Sequence, residues 1–280
     1  MKKVVCYGEV LWDILPTERI AGGAPMNVCI RLQSLGINSQ MISSIGNDSL
    51  GQELQSIIEH KHVDTSLLQI NDRLATGQVH VTLNEQGSAS YEIVYPSAWD
   101  SIVLTAENQK AVAAADAFVF GSLACRDTLS QETLLALLKV ARYKIFDVNL
   151  RPPFYSLPLI VSLMEQADLV KLNDDELIEI VAALQGPNTS IEDGILFLSQ
   201  ITNTHSICVT KGKDGAVLYH QNQFYSHPGY EVTVVDTIGA GDSFLAALIS
   251  KINSCTDYSE ALAFACNTGA MVASHKGAFE

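Results

Sequence analysis

A doubly wound α/β fold, a mostly parallel sheet with helices on both faces, is what the 280-residue sequence predicts. Three observations carry that expectation. Short β-rich runs alternate with helical patterns over most of the length. Most of those runs lack strict polar alternation, as suits strands covered on two faces. The composition, 48% hydrophobic and 17% charged, supports a packed core and not a disordered chain.

The elements follow in order. VVCYGEV (4–10) reads as the first strand, followed by a helix over 24–35. The strand QMISSIG (40–46) precedes a helix over 49–61. AFVFGSL (117–123), KIFDVNL (144–150), LVKLN (169–173) and SICVTKG (206–212) continue the strands, with helices over 128–141, 174–184 and 190–202 between them. Each helix carries apolar residues three or four apart, the spacing of one buried face. SFLAALISKI (243–252) is a further helix with Phe244, Leu245, Leu248, Ile249 and Ile252 on one side.

Residues 75–95 break the rhythm. Val79, Val81 and Leu83 alternate, as do Tyr91, Ile93 and Tyr95, about a polar turn at Asn84, Glu85, Gln86 and Gly87. This is a hairpin, not a βαβ element. With one apolar face and no helix of its own it must cover something, either a site as a lid or the edge of the main sheet. No repeat or linker divides the chain, so one α/β domain over 1–280 with a small β insertion is expected.

The charge balance is 17 basic against 31 acidic side chains, a net −14. That argues against nucleic acid or an anionic membrane as partner, since both need a basic footprint. No apolar run reaches the ~18 residues of a membrane-spanning helix. Glu9 and Asp13 interrupt the N-terminal apolar stretch, which reads as a strand and not a secretion signal. The six cysteines (Cys6, Cys29, Cys125, Cys208, Cys255 and Cys266) are scattered without a CxxC pair. A reducing cytoplasm and no cysteine metal site are the expectation.

The stretch DTIGAGDSF (236–244) places Gly239 and Gly241 directly before a helix. A helix N-terminus offers unpaired N–H groups and the positive end of the dipole, so it binds anions without basic side chains. Spacing alone leaves two readings open: a phosphate site with Asp242 beside it, or a tight turn with Asp242 as a cap. The stretch is neither a Walker loop nor GxGxxG.

DTIGAGDSF closely resembles the C-terminal signature of the PfkB, or ribokinase-like, carbohydrate kinases, and AGGAPMNVCIRLQSLG (21–36) is similar to their N-terminal glycine signature. The two lie about 215 residues apart in the family's order. GEVLWD, IGNDSLG, DVNLRP, NDDE, TKGKDG and HKGA also have counterparts. The resemblance implies a ribokinase-like fold with a β-lid, and ATP-dependent phosphorylation of a free sugar at a primary hydroxyl. In that family the aspartate corresponding to Asp242 is the base, and the backbone of Ile238, Gly239, Ala240 and Gly241 is the anion hole. Positioning plus charge stabilisation is what phosphoryl transfer needs.

The same resemblance assigns sugar contacts to Asp13, Gly22, Gly23 and Asn27, and a sugar- or phosphate-binding role to Arg151. Asn173 and Glu176 match the NxxE pattern of the magnesium–phosphate network, Glu176 acting through water. Thr210, Lys211, Gly212 and Gly215 correspond to the nucleotide loop, with Asn267 near the adenine. Asp236 and Ile238 fit a monovalent cation site, that of potassium. ATP and Mg2+ are the implied cofactors, and a homodimer joined through the lid is the implied assembly. The proline in GGAPMNV and the DVNLRP wording favour fructose over 2-keto-3-deoxygluconate, ribose or a nucleoside. A non-catalytic sugar- or nucleotide-binding regulator is the alternative of another class.

Overall fold

The computed structural model describes residues 1–83, 89–187, 189–252 and 257–278. The turn expected at residues 84–87 and Cys255 lie outside them.

The chain opens with β1 (Lys3–Tyr7), β2 (Leu11–Ile14), β3 (Arg19–Gly22), α1 (Ala24–Ser34), β4 (Asn38–Gly46), α2 (Ser49–His60) and β5 (Leu68–Asn71). The strands β6 (Gly77–Leu83) and β7 (Ala89–Ile93) precede α3 (Ala106–Ala114), β8 (Ala117–Gly121), α4 (Thr128–Leu138) and β9 (Lys144–Asp147). Then come α5 (Leu157–Gln166), β10 (Leu169–Asn173), α6 (Asp174–Ala183), α7 (Ile191–Thr202) and β11 (Ser206–Thr210). The last elements are β12 (Ala216–His220), β13 (Gln223–His227), α8 (Ala240–Ile252) and α9 (Tyr258–Ala273).

The main sheet has nine strands in the order β13-β12-β11-β10-β9-β8-β1-β4-β5. Its pairs are parallel from β5 to β11, and β12 and β13 add an antiparallel edge. Successive side chains of a strand point to opposite faces, and the core divides accordingly. Val4, Cys6 and Val119 join the apolar faces of α1, α2, α8 and α9 on one side. Val5, Tyr7, Phe118 and Phe120 join α3 to α7 on the other. There Phe120 stacks on Phe146 at 5.2 Å between ring centroids, and Tyr7 Oη donates to the Ser130 carbonyl at 2.6 Å, satisfying its buried hydroxyl.

The N-terminal expectation needs correction. The first strand of the main sheet ends at Tyr7, and the rest of GEVLWD enters a second sheet of order β3-β2-β6-β7. Leu11 pairs with both Gly22 and Gly77, and Trp12 is buried with its indole N–H donating to the Leu50 carbonyl at 3.1 Å. Burial of these two large side chains favours the second sheet over a longer first strand. The expected hairpin strands, β6 and β7, are therefore half of a four-stranded sheet, and among the described residues they do not pair with the edge of the main sheet.

Candidate active site

The parallel strands deliver their carboxyl ends to one edge, where open α/β sheets bind ligands. Register aligns Gly121 with Asp147, Asp147 with Lys171, and Asn173 with Thr210 along that edge. The second sheet and the N-termini of α1 and α8 border the same edge.

The loop before α8 is tied down by backbone and side-chain bonds. The Asp236 carboxylate accepts from the N–H of Ile238 and of Gly277, both at 3.0 Å. The Ala273 carbonyl accepts from Val235 N–H at 2.9 Å, so the C-terminal loop is fastened to the glycine turn. Gly239 has φ +74°, and a Cβ there would overlap Ala278. Only glycine takes this backbone and this close approach together. Gly239 O accepts from Ser243 N–H at 2.8 Å as the helix begins.

Asp242 lies in the first turn of α8 and is half-buried. Its Oδ2 accepts from Asn27 Nδ2 at 2.7 Å, so the two glycine-rich stretches meet through side chains. One turn along α1, on the same face, Arg31 donates to Ser243 Oγ at 3.1 Å and to the Ala278 carbonyl at 3.0 Å. Burial, then the neighbouring Asp147 charge, push the Asp242 carboxyl up to about 6, opposed by Lys171, Asn27 and Arg151. A carboxylate titrating there is mostly ionised at neutral pH and basic enough to take a proton.

Asp13 is on β2, with Gly22 on the paired strand leaving room for its carboxylate. Burial raises Asp13 to about 6, and Arg151 offsets part of that. Gly23 carries φ +115°, and a Cβ there would strike the Glu9 carbonyl. Arg151 is exposed, donates to the Leu150 carbonyl at 2.9 Å, and bears electrostatically on Asp13, Glu9 and Asp242 together.

Asn173 and Glu176 form a capping box at the start of α6: Asn173 Oδ1 accepts from Glu176 N–H at 2.8 Å, and Glu176 Oε2 from Asn173 N–H at 2.9 Å. Glu176 Oε1 also accepts from Leu150 N–H at 2.8 Å. The box thereby holds the loop that carries Arg151. Each carboxylate oxygen keeps a lone pair beyond its N–H bond, which fits contact with a metal through water. Among the described residues no three His, Cys, Asp or Glu side chains are grouped to hold a metal by themselves.

Thr210, Lys211, Gly212 and Gly215 form the tight connection from β11 to β12, closed by Lys211 N–H donating to the Gly215 carbonyl at 2.8 Å. Asn267 is one residue beyond Cys266 on α9, and Lys211 acts electrostatically on that thiol. This group borders the α8 turn by way of α9, since Gly269 packs near the Ala240 carbonyl and Phe244. It is a hairpin turn in geometry, as its spacing also allows.

Three charged residues at this edge, Glu9, Asp147 and Lys171, receive no role from the sequence motifs, although Glu9 and Asp147 lie within GEVLWD and DVNLRP. Glu9 is 3% exposed with Oε2 buried and unpartnered. Burial raises it to about 7, with Arg151 and a bond from Ala24 N–H opposing and Asp242 adding to the rise. Lys171, on β10, is 7% exposed, and its Nζ sits 3.0 Å from Asp147 Oδ1 on the neighbouring strand. The signal was a lysine inside the apolar run LVKLN, where a sheet covered on both faces has no routine use for a charge.

A helix N-terminus that can bind an anion, set beside a half-buried carboxylate at the carboxyl edge of a parallel sheet, suits phosphoryl transfer, and similarity to known proteins makes the chain a carbohydrate kinase of the ribokinase-like fold, a phosphotransferase. The chain belongs to the pfkB family of carbohydrate kinases, which it matches over residues 1–280. It is 29% identical over 306 aligned positions to the probable fructokinase-7 of Arabidopsis thaliana, covering 98% of this chain and 88% of that protein. An uncharacterized sugar kinase from Pyrococcus horikoshii in complex with ATP superposes with TM-score 0.85 at 26% identity, covering 99% of this chain and 94% of that one. A fructokinase double mutant from Vibrio cholerae, in its fructose, ADP and potassium ion bound form, gives TM-score 0.85 at 25% identity, with 100% and 94% covered.

Proposed function

We propose that this kinase transfers the γ-phosphoryl group of ATP to a primary hydroxyl of free fructose, with Asp242 as the base and the backbone of residues 238–241 as the anion hole. The observation that carries the reading is the 2.7 Å bond from Asn27 to Asp242. It brings the sugar-side signature and the phosphate-side signature into one contact. A hydroxyl bound beside Asn27 and Asp13 lies next to the carboxylate that must deprotonate it. The fructose bound by the Vibrio cholerae relative supports the choice of sugar.

In this reading Asp13, Gly22, Gly23 and Asn27 receive the sugar, and Arg151 lends positive charge between sugar and phosphate. Glu176 with Asn173 would face magnesium through water, and the ion, bound with the nucleotide, would supply neutralisation of phosphate charge. Thr210, Lys211, Gly212, Gly215 and Asn267 border the nucleotide. Asp236 and the Ile238 carbonyl would hold potassium, matching the ion bound by the Vibrio cholerae protein. The second sheet acts as a lid that excludes water and as the dimer contact, with Tyr91 69% exposed on it.

An ADP-release assay with ATP and magnesium, run over free hexoses, pentoses, keto-acid sugars and nucleosides, tests the reading. Fructose should give the highest kcat/KM. Asp242→Asn should lower kcat by about 10²–10⁴-fold while sugar still binds. Unchanged turnover in that variant removes Asp242 as base, and preference for another acceptor removes fructose.

A further inference from the structure

We propose that Lys171 and Asp147 form a buried charge pair that flanks the GAGD turn and holds Asp242 in its ionised, proton-accepting form. Both are positioning residues, and neither is placed in contact with substrate. The inference rests on the reading of Asp242 as the base.

The geometry is specific. Lys171 and Asp147 are register partners on β10 and β9, and their side chains meet at 3.0 Å. Both are almost fully buried, and Asp147 Oδ2 has no partner. Among the described residues outside its own turn, Lys171 Nζ is the heavy atom that a Cβ on Gly241 would meet, at 3.4 Å. The ammonium therefore lies against the turn that begins α8, one residue before Asp242. Taking two charges out of water offsets most of their mutual attraction, so such a pair is a poor stabiliser. Its effect falls on its neighbours instead.

Asn27 from α1 bonds Asp242, and Glu9 from the loop after β1, Asp147 from β9, Arg151 from the loop after β9 and Lys171 from β10 act on it electrostatically. Of these, Lys171 favours the carboxylate and Asp147 opposes it. The two members of one pair thus pull the base in opposite directions. A cation close by lowers a carboxyl and an anion raises it, in partly dry surroundings by one unit or more. Without Lys171, Asp242 would feel the charges of Asp147 and Glu9 with Arg151 as its counter-charge, and would hold a proton in the range where it must accept one.

The test is the pH profile of kcat/KM for the wild type, Lys171→Met, Lys171→Arg and Asp147→Asn, each checked for folding by circular dichroism. Lys171→Met should move the acid limb up by about one pH unit, making its deficit about tenfold larger at pH 5 than at pH 8. Asp147→Asn should move the limb down, and Lys171→Arg should leave it where the wild type has it. An equal loss at every pH in the Met and Asn variants overturns the proposal, because a purely structural role lowers the plateau without moving the limb. If Lys171→Met does not fold, Asp147→Asn decides alone: a downward limb supports the pair and an unmoved limb overturns it. A wild type that releases no ADP with any acceptor removes the reading of Asp242, and this inference with it. An active wild type with unmoved limbs removes only the pair.

Discussion

Glu9 shows at the residue scale what this site costs the fold. Its carboxyl is buried, one oxygen lacks a partner, and its folded pKa is raised to about 7. A group raised in this way favours the fold fully below its unfolded value, and that contribution is lost as pH rises through the folded value. Glu9→Gln should therefore raise stability at pH 8, by on the order of 3 kcal/mol at most for a shift of this size. The gain should vanish near pH 4, where the carboxyl is protonated in both states. Urea melts at the two pH values check this, and an equal effect at both would show that packing, not charge, is what changed. The raised titration of Asp242 and Asp13 adds to the cost of this edge at neutral pH, where both are mostly ionised.

At the scale of elements, Gly239 and the C-terminal loop act as one unit. The left-handed backbone at Gly239, the overlap a Cβ would make with Ala278, and the hold of Asp236 and Arg31 on residues 277 and 278 all converge there. Gly239→Ala should cost about 2 kcal/mol from backbone strain and displaced packing, seen as a lower midpoint in urea, and should weaken ATP more than sugar. An unchanged KM for ATP would separate this turn from the phosphate. Elements with a clear apolar stripe, such as α2 with Leu54 and Ile58 buried, were legible from spacing. α3 and α9 were not, because alanine, threonine and glycine give little contrast between faces. α5 escaped for the opposite reason, LPLIVSL being apolar nearly all round. The hairpin partners β12 and β13 were likewise hidden behind the turn that joins β11 to β12.

For the whole molecule, the two sheets divide the work: the large one supplies the edge with its charges, and the small one stands beside it. Leu11, Trp12 and Asp13 belong to the small sheet although they follow the first strand of the large one by only a few residues. Asp13 therefore moves with the lid in the proposed mechanism, coupling closure to sugar contact. Deleting residues 80–92 should raise ATP hydrolysis relative to sugar phosphorylation, since water then enters with the phosphate exposed. A constant ratio of the two activities would remove the lid role. Among the described residues no helix is long and apolar enough to cross a membrane.

By itself the sequence determined the α/β class, six helices to within a few residues, and the family, through two glycine signatures far apart in one order. These are local matters: strand and helix follow from side-chain periodicity, and a glycine turn from the residues within it. Only the tertiary structure decided that β2 leaves the main sheet, that Asn27 bonds Asp242 across 215 residues, and that Lys171 lies against Gly241. Those contacts depend on which strands become neighbours and on where each helix starts above them. Burial then sets the charges of Glu9, Asp13 and Asp242, because the cost of an ionised carboxyl is fixed by what surrounds it and not by the residues on either side.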